Sequence, residues 1–238
     1  MDRAERAALG SIAVGLTVLG LKLLAWFLTG SVALFSDALE STINVVAAGA
    51  AFWAVRVAGR PADAGHPYGH DKAEYLSAVF EGVLIVLAAL AILREAYHGL
   101  LNPRPLDAPA LGIALNVAAT LLNLVWARLL LGWAAAWRSP ALRGDARHIL
   151  TDVWTSTGVI AGLALATLTG WYWLDPLIAA AVALNILWIG QGVVREAAGG
   201  LMDAAPSDAI STRVREVIAA HADGALEAHD IRTREAGR

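Results

Sequence analysis

The sequence predicts an all-α integral membrane protein with six transmembrane helices. Of its 238 residues, 58% are hydrophobic and only 16% are charged, whereas a soluble domain carries about a quarter charged residues. The mean hydropathy is +0.57. Several apolar stretches are long enough to cross a bilayer, which takes roughly 20 residues as a helix. Cysteine is missing from the sequence, which excludes disulfides, thiolate metal ligands and thiol redox switches. The formal net charge of −3 says little, because the placement of charge matters more than its sum.

The first span, Ala8–Leu28, ends in "FLTGS" without an A-x-A-like cleavage site, so it reads as a retained helix and not a signal peptide. The second and third, Val32–Val57 and Leu76–Tyr97, are joined by "RVAGRPADAGHPYGHDKAE". The fourth, Leu111–Trp137, follows "HGLLNPRPLDAP", whose three prolines interrupt helix. The fifth and sixth, His148–Leu168 and Pro176–Val194, are separated by "TGWYWLD", whose aromatics suit a membrane–water interface.

Lys and Arg set the orientation. Arg3 and Arg6 precede span one; Arg56, Arg60 and Lys72 follow span two; Arg138, Arg143 and Arg147 follow span four. Only Arg94 and Arg104 lie on the opposite side. This bias predicts a multi-pass protein with both termini cytoplasmic, and the cell inner membrane is its expected location. After Gly200 the composition turns polar. "PSDAISTRVREVIAAHADG" predicts a soluble amphipathic helix, and "ALEAHDIRTREAGR" a first strand, with which the sequence stops. A lone strand has no sheet to join. Residues 1–200 are therefore expected to form the transmembrane domain, and 201–238 the incomplete start of a cytoplasmic C-terminal domain.

The informative residues are the polar ones inside the spans. An ionisable group in a spanning helix costs about 2.5–3.5 kcal/mol on insertion scales and usually faces a cavity or a partner. Glu40 and Asn44 stand four apart in "SDALESTINVV" and share one helical face, with Asp37 one turn earlier. "HILTD" sets His148 and Asp152 four apart in span five. Two helices, each offering two oxygen or nitrogen ligands, can converge on one four-coordinate site, which suits a divalent transition metal. The competing explanation is structural: Asn44 as interhelical glue, Glu40 satisfied by water, His148 and Asp152 marking a helix start.

In the loop after span two, Asp63, His66 and His70 have a spacing suited to a small metal site, although exposed loop histidines are common without one. Lys72 and Glu74 mark the polar start of span three. Lys22 in span one is expected to snorkel. Asn116, Asn123, Arg128 and Asn185 are expected to be packing or interfacial polar groups. His98 and His221 read as surface histidines.

Four motifs, "SVALFSDALESTINVV", "RPADAGHPYGHDKAEYLSA", "GDARHILTDVWTS" and "AHDIRTREAG", together resemble the cation diffusion facilitator family. Their order and separation fit across nearly the whole chain. The resemblance implies a homodimeric antiporter that exports a divalent metal from the cytoplasm in exchange for protons. It assigns the transport site to Glu40, Asn44, His148 and Asp152, with Asp37 beside it. It assigns a loop site to Asp63, His66 and His70, and a dimer-interface salt-bridge network to Lys72 and Asp203. It also implies a ferredoxin-like α/β C-terminal domain, of which the first helix and strand are present. His229 matches one ligand of that domain's regulatory site.

The chain departs from the family's zinc-transporting members at two ligand positions. They usually carry Asp or His where this chain has Glu40, and Asp where it has Asn44. An amide removes one negative charge and turns the site toward harder, oxygen-preferring ions such as manganese or iron(II), while the remaining histidine keeps zinc in play. Metal ligands must be deprotonated, so binding expels protons, and the imidazole of His148 is the natural proton carrier. The expected function is proton-coupled efflux of zinc, manganese or iron(II) by alternating access. The metal is cargo, no cofactor is expected, and the chain is not expected to be an enzyme. The partners are the metal, protons, membrane lipid and a second copy of the chain. An intramembrane metalloenzyme and a metal-binding scaffold that does not transport are the alternatives. The sequence lacks a basic patch with interleaved aromatics, so nucleic acid is not an expected partner.

Overall fold

The computed structural model describes residues 3–137, 140–222, 224 and 228–234. Every regular element among them is an α-helix: α1 (Arg3–Thr29), α2 (Val32–Ala58), α3 (Ala73–Leu101), α4 (Pro109–Trp137), α5 (Pro140–Thr169), α6 (Leu174–Leu201) and α7 (Asp208–His221). The first six are long and apolar enough to cross a membrane, so the chain is a multi-pass integral membrane protein. They outrun the predicted spans, most clearly where α5 begins at Pro140 and not at His148. Hydropathy marks only the lipid-facing length, and "RGDARHI" continues the same helix in polar sequence. Both α4 and α5 open on a proline, whose missing N–H is one that a first turn leaves unpaired anyway.

The expected strand does not form among the described residues: 228–234 carry no ladder, and 225–227 and 235–238 lie outside them. No second strand is described for this segment to pair with, which is the physical reason. Arg138 of the basic loop also lies outside the described residues.

The chain forms two compact units. One comprises Met1–Val46 and Leu84–Gly190; the other comprises Ala47–Val83 and Gln191–Arg238. In the first unit the interior is built largely from small residues. Ala25, Ala33, Ala89, Ala119, Ala127, Ala166, Ala179 and Ala183 are all completely buried, which lets backbones approach closely where lipid supplies no hydrophobic drive between helices. Large apolar side chains point outward instead, as with Phe27, Leu168 and Trp188.

Three clusters fix the helices of this unit. Ala7, Leu130, Ala134, Leu142 and Ala146 join α1, α4 and α5. Ala25, Ala33, Leu34, Val159 and Leu163 join α1, α2 and α5. Ile92, Ala96, Ala179, Ala183 and Ile186 join α3 to α6, with Val32, Phe35 and Leu39 of α2 packed against them. Only Gly30 and Ser31 separate α1 from α2. Gly30 sits at φ +63, a left-handed conformation that a side chain disfavours. The start of α2 is capped from α6: Asp175 accepts hydrogen bonds from the Val32 N–H at 2.7 Å, the Ala33 N–H at 3.2 Å and the Ser31 hydroxyl.

In the second unit, the start of α3 lies against the end of α6. A Cβ on Gly82 would overlap Val194, and one on Gly200 would overlap the Tyr75 ring.

Candidate functional site

The first unit encloses a cluster of charged and polar side chains from four helices. Its centre is Lys22 of α1, which is 0% exposed. The Lys22 Nζ donates to Asp37 Oδ1 at 3.0 Å, to Ser41 Oγ at 2.9 Å, and to Asp152 Oδ1 and Oδ2 at 2.8 and 2.9 Å. Asn123 of α4 donates to Asp152 Oδ2 at 2.6 Å, and the Ser156 hydroxyl of α5 donates to Asp37 Oδ1 at 2.8 Å. Asp37, Ser41, Asn123, Asp152 and Ser156 are all buried. Lys22 therefore does not snorkel. The nearer end of α1 is Thr29, about 10 Å away at 1.5 Å rise per residue, and two carboxylates stand much closer. Asn123 likewise is not simply a packing amide, because it orients Asp152. Asn116 is completely buried, and among the described residues neither of its amide atoms has a hydrogen-bond partner.

These contacts fix the register between α2 and α5. Leu34 packs with Val159, Asp37 meets Ser156, and Ser41 shares Lys22 with Asp152. The two helices are thus antiparallel, and each turn further along α2 matches a turn back along α5. Glu40 stands beside the Ser41–Asp152 level. His148 stands one turn before Asp152 on α5, and among the described residues Glu40, His148 and Asp152 do not bring their ligand atoms within 4.8 Å of one another. Glu40 lies within reach of the charges of Asp152, Asp37 and Lys22. Among the described residues its Oε2 is buried without a hydrogen-bond partner, and so is Asp37 Oδ2. Among the described residues neither Asn44 nor His148 makes a side-chain hydrogen bond, and His148 is exposed. Lys22 therefore bridges Asp152 and Asp37, while Glu40 keeps an oxygen without a hydrogen bond among the described residues.

A second cluster belongs to the other unit. Asp63, His66 and His70 bring one ligand atom each to within 4.8 Å of one another. The Asp63 carboxylate lies 3.2 Å from His66 Nδ1 and 3.5 Å from His70 Nε2, and the two imidazoles have centroids 4.3 Å apart. The local chain dictates this arrangement. Asp63 Oδ1 accepts from the backbone N–H groups of His66 and Gly65 at 2.7 and 2.9 Å, and Gly69 at φ +88 turns the chain so that His70 returns. The His66 backbone hydrogen bond is the main cause holding the Asp63 carboxyl below the ordinary carboxylate range. His70 Nδ1 is buried without a hydrogen-bond partner among the described residues.

The cation efflux transmembrane domain profile matches residues 8–202. The chain belongs to the cation diffusion facilitator family. The chain is 49% identical over 236 residues to "Uncharacterized transporter sll1263" of Synechocystis sp., covering 98% of this chain and 76% of that protein. It is 33% identical over 236 residues to the cation-efflux pump FieF of Cronobacter sakazakii, and 30% identical over 233 residues to FieF of Salmonella arizonae. Each of these matches covers 98% of this chain and 77% of the relative. As a cation diffusion facilitator the chain is a transporter of metal cations and not an enzyme, so the intramembrane metalloenzyme alternative falls away.

Lys72 and Asp203, the other positions singled out from the facilitator resemblance, form an ion pair at 3.0 Å within one chain. Lys72 Nζ also donates to the Leu201 carbonyl at 3.1 Å, a cation at the carbonyl end of α6 where the helix dipole favours it. Arg234 reaches Asp203 Oδ1 at 3.2 Å and lies over the Tyr68 ring. Asp203 takes a left-handed conformation at φ 59. The Lys72 hydrogen bond, more than any other influence, holds the Asp203 carboxyl below its ordinary value.

A folded-state pKa below the unfolded value of about 3.9 means that the link is complete above that pH and is lost as pH falls through the depressed value. The turn at 202–207 is therefore expected to resist limited proteolysis at neutral pH and to open only in strong acid. Asp203→Asn is expected to open it at pH 7.

Sequence reasoning missed Lys22, Ser41, Ser156 and Asp175. Lys22 carried a signal, since a charge within an apolar span calls for an opposite charge; Asp175, in the interfacial loop before span six, carried none. The hydroxyls carried none, because serine in a membrane helix can satisfy itself on its own backbone.

Proposed function

We propose that the chain exports divalent transition-metal ions, namely zinc, manganese or iron(II), from the cytoplasm in exchange for protons. Transport proceeds by alternating access through Glu40, Asn44, His148 and Asp152, with Asp37 beside them. The chain works as a homodimer in the cell inner membrane with both termini cytoplasmic. Residues 1–200 act as the transport domain, and 201–238 begin a cytoplasmic domain in which His229, paired with Asp230 at 3.3 Å, is one candidate ligand. Asp63, His66 and His70 form an accessory cation site in the cytoplasmic loop.

One observation carries this reading: the Glu40 and Asp37 oxygens left buried without partners, one turn from the charge-paired Asp152. A buried carboxylate oxygen without a donor is costly unless a cation visits it. The antiparallel register of α2 and α5 supports a site shared by both helices, and the exposure of His148 supports an opening at its end of the site. Binding of a metal to carboxylates and imidazole releases their protons, and protons returning from the other side displace the metal.

The test is metal accumulation in proteoliposomes under an imposed pH gradient, with zinc, manganese and iron(II) in competition. Accumulation that collapses with the gradient is expected. Asn44→Asp, which restores a negative charge, is expected to move preference toward zinc. Binding without accumulation would instead identify a non-transporting scaffold.

A further inference from the structure

We infer that Lys22 is a tethered cation of the transport site. Its ammonium holds Asp37 and Asp152 together when no metal is bound, and it must withdraw from Asp152 before that carboxylate can ligate the cargo. The inference rests on the transport site proposed above and adds a residue that competes with the cargo inside it.

The geometry points this way for three reasons. First, the ammonium contacts oxygens of three side chains at 2.8 to 3.0 Å and is 0% exposed. Its three N–H groups are therefore fully used, and the charge sits among the carboxylates, not beside them. Second, Asp152 has no oxygen left open, whereas Asp37, engaged at Oδ1 by Lys22 and Ser156, and Glu40 each keep one. Both Asp152 oxygens on α5 are engaged by Lys22, and Oδ2 also accepts from Asn123. Asp37 Oδ2 and Glu40 Oε2 on α2 are buried and open. A dication arriving at these two open oxygens has no hydrogen bond to them to break, but to reach Asp152 it must replace the ammonium.

Third, the ammonium has somewhere to remain. Asp37 and Ser41, its other two partners, lie on α2. Losing Asp152 therefore swings Lys22 toward α2 without leaving it unpaired in a low-dielectric interior, where an uncompensated charge is strongly unfavourable. A positive charge of this kind weakens metal binding and speeds release, because the departing ion is replaced at once. Transport needs binding that is tight enough to load and weak enough to unload.

The experiment titrates the purified chain with cobalt(II), followed by visible absorption, in a background carrying His66→Ala and His70→Ala to silence the loop. Asp152→Ala in that background is expected to abolish the remaining cobalt signal. If binding persists, the transport site itself is wrong and the inference falls with it. With the site so established, Lys22→Met is expected to tighten cobalt(II) binding by roughly tenfold or more, since the like charge is gone. Unchanged or weaker binding would overturn the tethered-cation role and leave Lys22 a structural cross-link. Should Lys22→Met alone fail to fold, Asp37→Asn is compared with Asp37→Asn/Lys22→Met, which removes an acid and a base together. The double variant binds more tightly than the single one if Lys22 competes with metal. Equal or weaker binding by the double variant refutes the competition.

Discussion

Proteoliposomes carrying Asp152→Ala are expected to lose gradient-driven metal accumulation by on the order of a hundredfold or more, beyond what loss of a supporting contact produces. Asp152 is the point where α1, α4 and α5 meet: Lys22 and Asn123 both donate to it. Truncation removes a proposed ligand and also leaves the Lys22 charge with Asp37 as its one remaining carboxylate among the described residues. Breaking a buried ion pair by removing one partner typically costs about 3–5 kcal/mol, so the variant is also expected to melt earlier. Asp152→Asn separates the two effects. Its amide oxygen still accepts from Lys22 or Asn123, so much of the stability returns, whereas a neutral amide does not restore transport. Wild-type accumulation by Asp152→Ala would remove the proposed site altogether.

The second large effect is on folding. Asp175→Ala is expected to destabilise the protein by about 3 kcal/mol or more, because hydrogen bonds to a charged acceptor each contribute about 1.5–3 kcal/mol. Asp175 is only 3% exposed and is the sole side chain accepting from the Val32 and Ala33 N–H groups among the described residues. Those N–H groups belong to the first turn of α2, where a helix has no acceptors of its own. Water, which would rescue them at a soluble surface, is scarce in this setting. The measurement is the apparent melting temperature of purified protein, with Asp175→Asn expected to fall between the two. Wild-type melting of Asp175→Ala would mean that α2 starts without this cap.

The six spans were legible because length and apolarity are what a bilayer demands, and each prediction fell inside an observed helix. The helix ends were not, since "RGDARHI" has no apolar signature yet continues α5 as readily as lipid-facing sequence does. The i, i+4 spacing of Glu40 with Asn44 and of His148 with Asp152 was legible in the sequence, whereas among the described residues only Asp63, His66 and His70 bring three ligand atoms together. What stayed hidden was the partner. A lysine in a span has two ways to avoid hydrocarbon, outward to the interface or inward to an acid. Periodicity cannot choose between them, because the choice depends on which face a neighbouring helix presents. Asp175 was hidden for a similar reason: "TGWYWLD" reads as an interfacial aromatic loop, and nothing local says that its last residue serves a helix more than 140 positions earlier. The C-terminal strand failed on pairing, not on propensity.

The two-residue junction at Gly30 and Ser31 makes α1 and α2 one hairpin, and it carries Lys22 and Asp37 on opposite arms of the same lever. Any rocking of that lever past α5 leaves the Lys22–Asp37 link intact and strains the Lys22–Asp152 link first. The joint so loaded is the firmer of the two, since Lys22 grips both Asp152 oxygens at 2.8 and 2.9 Å but only one Asp37 oxygen, at 3.0 Å.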